Sequence, residues 1–243
     1  MPLSYFFRDE ELDHRVLSRT PMTDQPFEDF VRHVFEQPSG GDVFERTEDA
    51  AAATVEFDHR EVIAHLTRLF ESPEFLLDRY DRCQIGKGLW YVASTGGSAF
   101  MFALHDPTIP WSRRRRCIAS IFTLFERLVG PQCGDKLGHL IRTDDDNHLH
   151  TACYMWWEIF PTWASASEAD NNRFSHAMLD VMERTLTLPS EAACESALHG
   201  LGHEEIINSA RVQEIIDAFL NARPDISPAL RSYAIRAREG GIQ

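Results

Sequence analysis

Residues 190–222 read SEAACESALHGLGHEEIINSARVQEIIDAFLNA. In the first half Ala193, Ala197, Leu198 and Leu201 recur at steps of three and four, and in the second half Val212, Ile215, Ile216, Phe219 and Leu220 do the same. Side chains three and four apart share one face of an α-helix, so each stripe predicts an amphipathic helix with one face to bury. The stretch therefore predicts a pair of short antiparallel helices, Ser190 to His203 and Ser209 to Ala222, ended near Arg223-Pro224.

Other segments read alike. Val62, Ile63, Leu66, Leu69 and Phe70 line one face between Asp58 and Phe70, and Asp58 followed by Glu61 has the form of a capping box. From Arg116 to Val129 the apolar positions are Ile118, Ile121, Phe122, Phe125, Leu128 and Val129, with Gly130-Pro131 expected to stop the helix. A fourth stripe runs from Phe174 through Met178 and Val181 toward Leu188. Strand-like alternation between hairpin turns is scarcely visible, which predicts an all-α fold. Turn-forming residues at Pro38–Gly41, Gly96-Gly97, Asp106-Pro107, Gly130-Pro131, Thr143–His148, Pro161–Asn172 and Pro189-Ser190 mark the breaks.

The helix pair at 190–222 resembles a degenerate HEAT or armadillo-type repeat, and residues 58–239 do so more loosely. The resemblance implies an irregular stack of antiparallel helices, each pair burying its stripe against the next. An internal echo agrees with it: Cys83–Trp90 and Cys194–Leu201 share a small residue three positions after the cysteine and a large apolar residue near the end. Cys153–Trp157 and Glu195–His203 are also similar to segments of uncharacterised bacterial proteins, a likeness that implies no activity. Two parts are expected, an N-terminal helical arm and loop at 1–50 and a solenoid-like body at 51–243.

Charge sets the next bound. The chain has 243 residues with 38 acids against 24 Lys and Arg, a net charge of −14. Residues 1–80 carry −10, residues 81–142 carry +5 and residues 143–243 carry −9, so two acidic flanks enclose a basic middle. Nucleic-acid binders gain affinity by neutralising phosphates with cations, which makes DNA or RNA an unsuitable partner. Cys83, Cys117, Cys133, Cys153 and Cys194 form no C-x-x-C pair and predict reduced, mostly buried thiols rather than a disulfide framework. The N-terminus turns acidic at Asp9-Glu10-Glu11 before a signal-peptide core could form, and the longest apolar runs, such as Ala99–Leu104, are far short of a membrane span. A cytoplasmic protein without a membrane partner is expected.

The strongest metal-like pattern is Glu195, His199 and His203, four apart on a predicted helix and so on one face. Two imidazoles and a carboxylate are a zinc ligand set, although Gly200 stands where a metalloprotease helix has its glutamate base. The favoured reading is a solvated or hydrogen-bonded polar stripe, with Gly200 and Gly202 in structural use, so that no metal and no cofactor are expected. Asp144-Asp145-Asp146-Asn147-His148-Leu149-His150 is rich in donors but lacks the glycine of a calcium loop, and a polar connection explains it more simply. Arg113–Arg116 fan around a helix axis at about 100° per residue, so one must approach the packed face and the run should pair with the acidic flanks. Gly96-Gly97-Ser98-Ala99-Phe100 is not a nucleophile elbow, and Gly86-Lys87-Gly88 is not a phosphate loop.

Trp156-Trp157 are either core or partner anchors, since adjacent positions on a helix point apart. The leading expectation from these features is a non-enzymatic acidic scaffold that engages a basic protein partner, an immunity protein masking a toxin being one instance. Its expected contacts are Asp144, Asp145, Asp146, Trp156, Trp157, Glu204 and Glu205. The alternatives are a metal-dependent enzyme on the same scaffold, using Glu195, His199 and His203 or the Asp144–His150 loop, and a structural subunit of a larger assembly.

Overall fold

In a computed structural model, residues 25–36, 57–141, 147–162, 164 and 167–242 are described, and among them the only regular secondary structure is helical. The longer helices are α1 (Gln25–Phe35), α2 (His59–Glu71), α4 (Arg82–Ala93), α5 (Trp111–Leu124), α7 (His148–Ile159), α8 (Glu168–Thr185), α9 (Glu191–Ala222) and α10 (Pro228–Arg238). Two single turns, α3 (Leu76–Arg79) and α6 (Gly130–Cys133), lie between them.

Packing runs in two rows. One row sets α1 on α4, α4 on α7 and α7 on α9; the other sets α2 on α5, α5 on α8 and α8 on α9. Aromatic side chains fill the space between: Phe27 and Phe30 of α1 meet His65 of α2, and Phe70 of α2 meets the edge of Trp156 of α7 at 6.0 Å. Phe125 stacks on Trp157 and meets Trp156 edge-on. Both tryptophans lie in this core, Trp156 1% and Trp157 3% exposed, which removes them as partner anchors. α7 is held between α4 and α9 with Phe70 and Phe125 against its tryptophans, so 100° of separation does not bring either ring to water.

The predicted pair at 190–222 is one element that leaves helical geometry at Asn208. Past that residue the chain doubles back, because the Arg223 guanidinium donates to the Leu188 carbonyl at 3.1 Å. Glu204, only 8% exposed, accepts from Asn208 Nδ2 at 3.0 Å and from Ser175 Oγ at 3.1 Å and so fastens the reversal to α8. Glu204 is thereby a structural carboxylate and not a surface contact for a partner. Half-buried Glu205 accepts from Ser209 Oγ at 2.6 Å and Gln213 Nε2 at 3.2 Å across the same bend.

Two details depart from the sequence expectation. Gly130-Pro131 does not stop its helix: α5 runs into a π-helical turn at Phe125–Val129, in which the Gly130 N–H donates to the Phe125 carbonyl, and α6 continues with Pro131 in its first turn. The wider turn removes the amide that proline cannot supply from the hydrogen-bond ladder. Asp58 caps α2 by accepting from the Arg60 amide at 2.8 Å, while the reciprocal capping box occurs at Asp81 and Gln84 on α4.

The arginine run behaves as its helical geometry requires. Arg114 turns inward to Asp170 of α8, with Nη1 at 2.7 Å and Nη2 at 3.1 Å from the carboxylate, and Arg116 turns outward to Glu71 of α2 at 2.7 Å. The basic middle thus clamps both acidic flanks. The expected loop over Pro38–Thr54 and the first 24 residues lie outside the described residues, as do Asp144, Asp145 and Asp146.

Candidate metal centre

Close approach of α7 and α9 builds the site. A Cβ on Gly200 would stand 2.6 Å from Trp157 Cβ, so only glycine allows the two helices to come this near. The residues flanking that contact are Glu158 on α7 and His199 on α9, and the same approach brings their side chains together. His199 Nε2 lies 2.9 Å from Glu158 Oε2, His203 Nε2 lies 3.3 Å from His199 Nε2, and His203 Nε2 lies 3.8 Å from Glu158 Oε2. Among the described residues this is the group of three whose donor atoms converge as metal ligands do.

Metal bonds of about 2.0–2.1 Å at tetrahedral angles put ligand atoms about 3.3–3.4 Å apart, and the three separations bracket that value. His199 is fully buried, whereas the Glu158 and His203 side chains are 41% and 40% exposed. One wall of the site is therefore protein and the other opens to water. Burial pushes the His199 pKa down, the Glu158 hydrogen bond opposes this and the neighbouring His203 adds to it. The ring is neutral at neutral pH, the form that binds metal.

Two tyrosine hydroxyls stand in line behind His199. Its Nδ1 is 2.6 Å from Tyr233 Oη on α10, which is 3.1 Å from Tyr154 Oη on α7. Tyr154 and Glu158 are four apart and share a face of α7, as His199 and His203 share a face of α9. Burial, reinforced by the Tyr154 hydrogen bond, raises the Tyr233 pKa, and burial likewise raises that of Tyr154, so both hydroxyls remain protonated. Metal-ligating histidines are commonly oriented by such a partner on the second ring nitrogen.

The structure brings His199 and His203 together with Glu158 and not with Glu195. Glu195 is 1% exposed and faces away, accepting from the amides of Gly138 and His139 and pairing with His139 Nδ1. It ties the segment after α6 to α9. The carboxylate beside the two imidazoles is Glu158, 41 residues before His199, and nothing local in Trp156-Trp157-Glu158 marks it. The loop alternative loses His150, whose two ring nitrogens are engaged by Asn147 Oδ1 at 2.5 Å and the Cys133 carbonyl at 3.1 Å.

The thiols match their expectation, with Cys117, Cys133, Cys153 and Cys194 buried and unbridged. Burial raises both Cys117 and Cys194 to about 12, which leaves them without nucleophilic thiolate at neutral pH. Gly86 and Gly88 lie inside α4, not in a phosphate-binding loop. No helix among the described residues is long and apolar enough to cross a membrane. Comparison with family descriptions, curated proteins and solved structures returns no match to this chain.

Proposed function

We propose that the protein binds one zinc-class divalent cation through Glu158, His199 and His203, on a stack of helix pairs of the HEAT/armadillo kind. The observation that carries the proposal is the set of three donor separations, 2.9, 3.3 and 3.8 Å, in a neutral-imidazole environment with a protein hydroxyl on His199 Nδ1. Three electron-rich atoms at this spacing repel unless a proton or cation lies among them. The His199 ring proton satisfies its contact with Glu158, whereas a divalent cation would draw all three donor atoms to one point. Two histidines and one glutamate are a donor set for zinc, and three protein ligands with a solvent-facing fourth position form an open site of the catalytic type. Such an ion polarises a bound carbonyl or phosphoryl oxygen, or lowers the pKa of its water, which makes metal-assisted hydrolysis the reaction class of this proposal.

Zinc titration of untagged protein against a chromogenic chelator tests it. The expected result is one tight equivalent, an affinity loss of at least about 100-fold in His203→Ala, exceeding the usual effect of outer-shell changes, and near-wild-type affinity in Glu195→Gln. Equal binding by wild type and His203→Ala would remove the site.

A second reading, the acidic scaffold for a basic protein, is supported by the charge balance. Arg79, Arg116, Arg127, Arg211 and Arg238 are each paired with a carboxylate of the same chain, so these cations are engaged within the fold, and the chain carries a net charge of −14. Under this reading a basic partner is recovered from the native host at low salt and released as salt rises. Retention indifferent to salt would count against it.

A further inference from the structure

We infer that Tyr233, itself held by Tyr154, is a positioning residue that decides which nitrogen of His199 carries the ring proton, and that capture of a metal reverses the hydrogen-bond chain through these three residues. The inference rests on the metal reading above.

Tyr154 Oη, Tyr233 Oη, His199 Nδ1, His199 Nε2 and Glu158 Oε2 follow one another with contacts of 3.1, 2.6 and 2.9 Å around the imidazole ring. A neutral imidazole has one N–H and one lone pair, and each hydroxyl has one hydrogen to donate. Every contact needs one hydrogen, so a single orientation satisfies all three without a metal, and a metal between Nε2 and Glu158 calls for a second.

In the first, Tyr154 donates to Tyr233, Tyr233 donates to Nδ1, and Nε2–H donates to the Glu158 carboxylate. All contacts are satisfied without a cation. In the second, Nε2 offers its lone pair to a metal, Nδ1–H donates to Tyr233, Tyr233 donates to Tyr154, and the Tyr154 hydroxyl turns its hydrogen toward water from its half-buried position. Passing from the first to the second releases one proton from Nε2 to solvent. Tyr233 supplies one to Nδ1, Tyr154 resupplies Tyr233, and solvent resupplies Tyr154, so the exchange is proton-neutral at His199.

Burial of the ring makes the tyrosines the natural route. His199 and Tyr233 are 0% and 2% exposed, so Nδ1 does not meet water, and of the two tyrosines Tyr154 is the half-buried one. Tyr233 also packs against His139, with ring centroids 4.9 Å apart, and this contact holds its ring in place.

The test is nitrogen-15 NMR of the histidine rings in the intact protein, recorded without metal and with one equivalent of zinc. The expected spectra show His199 with its proton on Nε2 before zinc and on Nδ1 afterwards. His199 protonated on Nδ1 in both samples would overturn the reversal while leaving the metal site standing. Absence of any zinc-dependent change at His199 or His203 would remove the metal reading and this inference with it. Tyr233→Phe supplies a second measurement: Nδ1–H in the metal-bound state then lacks its acceptor, and zinc affinity is expected to fall by about 10- to 100-fold with the helical content retained. Unchanged affinity in folded Tyr233→Phe would contradict the positioning role.

Discussion

Arg114→Ala is expected to destabilise the fold by about 3–5 kcal/mol, because it strips the partner from a carboxylate that stays inside. Arg114 is 3% exposed and donates four hydrogen bonds, two to Asp170, one to the Leu104 carbonyl at 3.1 Å and one to the Ile109 carbonyl at 3.1 Å. Arg173 remains near Asp170 at 2.6 Å but is half exposed and reaches neither carbonyl. Replacing both partners by apolar residues, as in Arg114→Met with Asp170→Leu, should cost less than Arg114→Ala alone, since no buried charge is then left behind. Urea denaturation of the three proteins measures the order, and a double variant less stable than the single one would contradict it.

The same pair carries a pH signature. The Arg114 guanidinium holds the Asp170 carboxyl below the ordinary carboxylate range, with Arg173 adding to the effect. A carboxyl whose pKa is depressed on folding contributes stability above its unfolded value of about 3.9, and that contribution disappears as pH falls through the folded value. The stability gap between wild type and Asp170→Asn should therefore be full at pH 7 and shrink below about pH 4. A gap that persists unchanged at pH 3 would show that the charge is not its source.

Gly86→Ala is the second substitution with a large expected effect. Its Cβ would stand 2.3 Å from the Leu149 nitrogen and 2.4 Å from the His148 carbonyl carbon, both backbone atoms of the first turn of α7. A flexible side chain could swing aside, but a helix backbone has to move as a body. The expected loss is about 3 kcal/mol, at the upper end of overpacking effects. Because α7 carries Tyr154 and Glu158, the shift should also weaken zinc binding, although residue 86 is no ligand. Wild-type thermal stability in Gly86→Ala would mean that α4 and α7 are not in this contact.

How far the sequence could be read follows from which contacts are local. The Val62–Phe70, Ile118–Val129 and Val212–Leu220 stripes, the Asp58 cap and the inward turn of one arginine in the 113–116 run depend on residues within a few turns, and the order of amino acids alone makes them legible. Gly130-Pro131 misleads because a π turn accommodates the proline without ending the helix. The burial of Trp156 and Trp157 depends on what the second row of helices covers, which a single helix does not reveal. His199 and His203 are legible as a pair at four-residue spacing. Their carboxylate is not, since Glu158 meets them only through a close helix contact set by Gly200. Tyr154 and Tyr233, 79 residues apart, carry no local signal at all.

Anomalous diffraction at the zinc absorption edge, from crystals grown with one equivalent of zinc, tests the central claim most directly. The account predicts a single strong peak at about 2.0–2.2 Å from Glu158 Oε2, His199 Nε2 and His203 Nε2, with Glu195 outside bonding distance. A peak bonded to Glu195, or ordered crystals with no peak at this position, would contradict it.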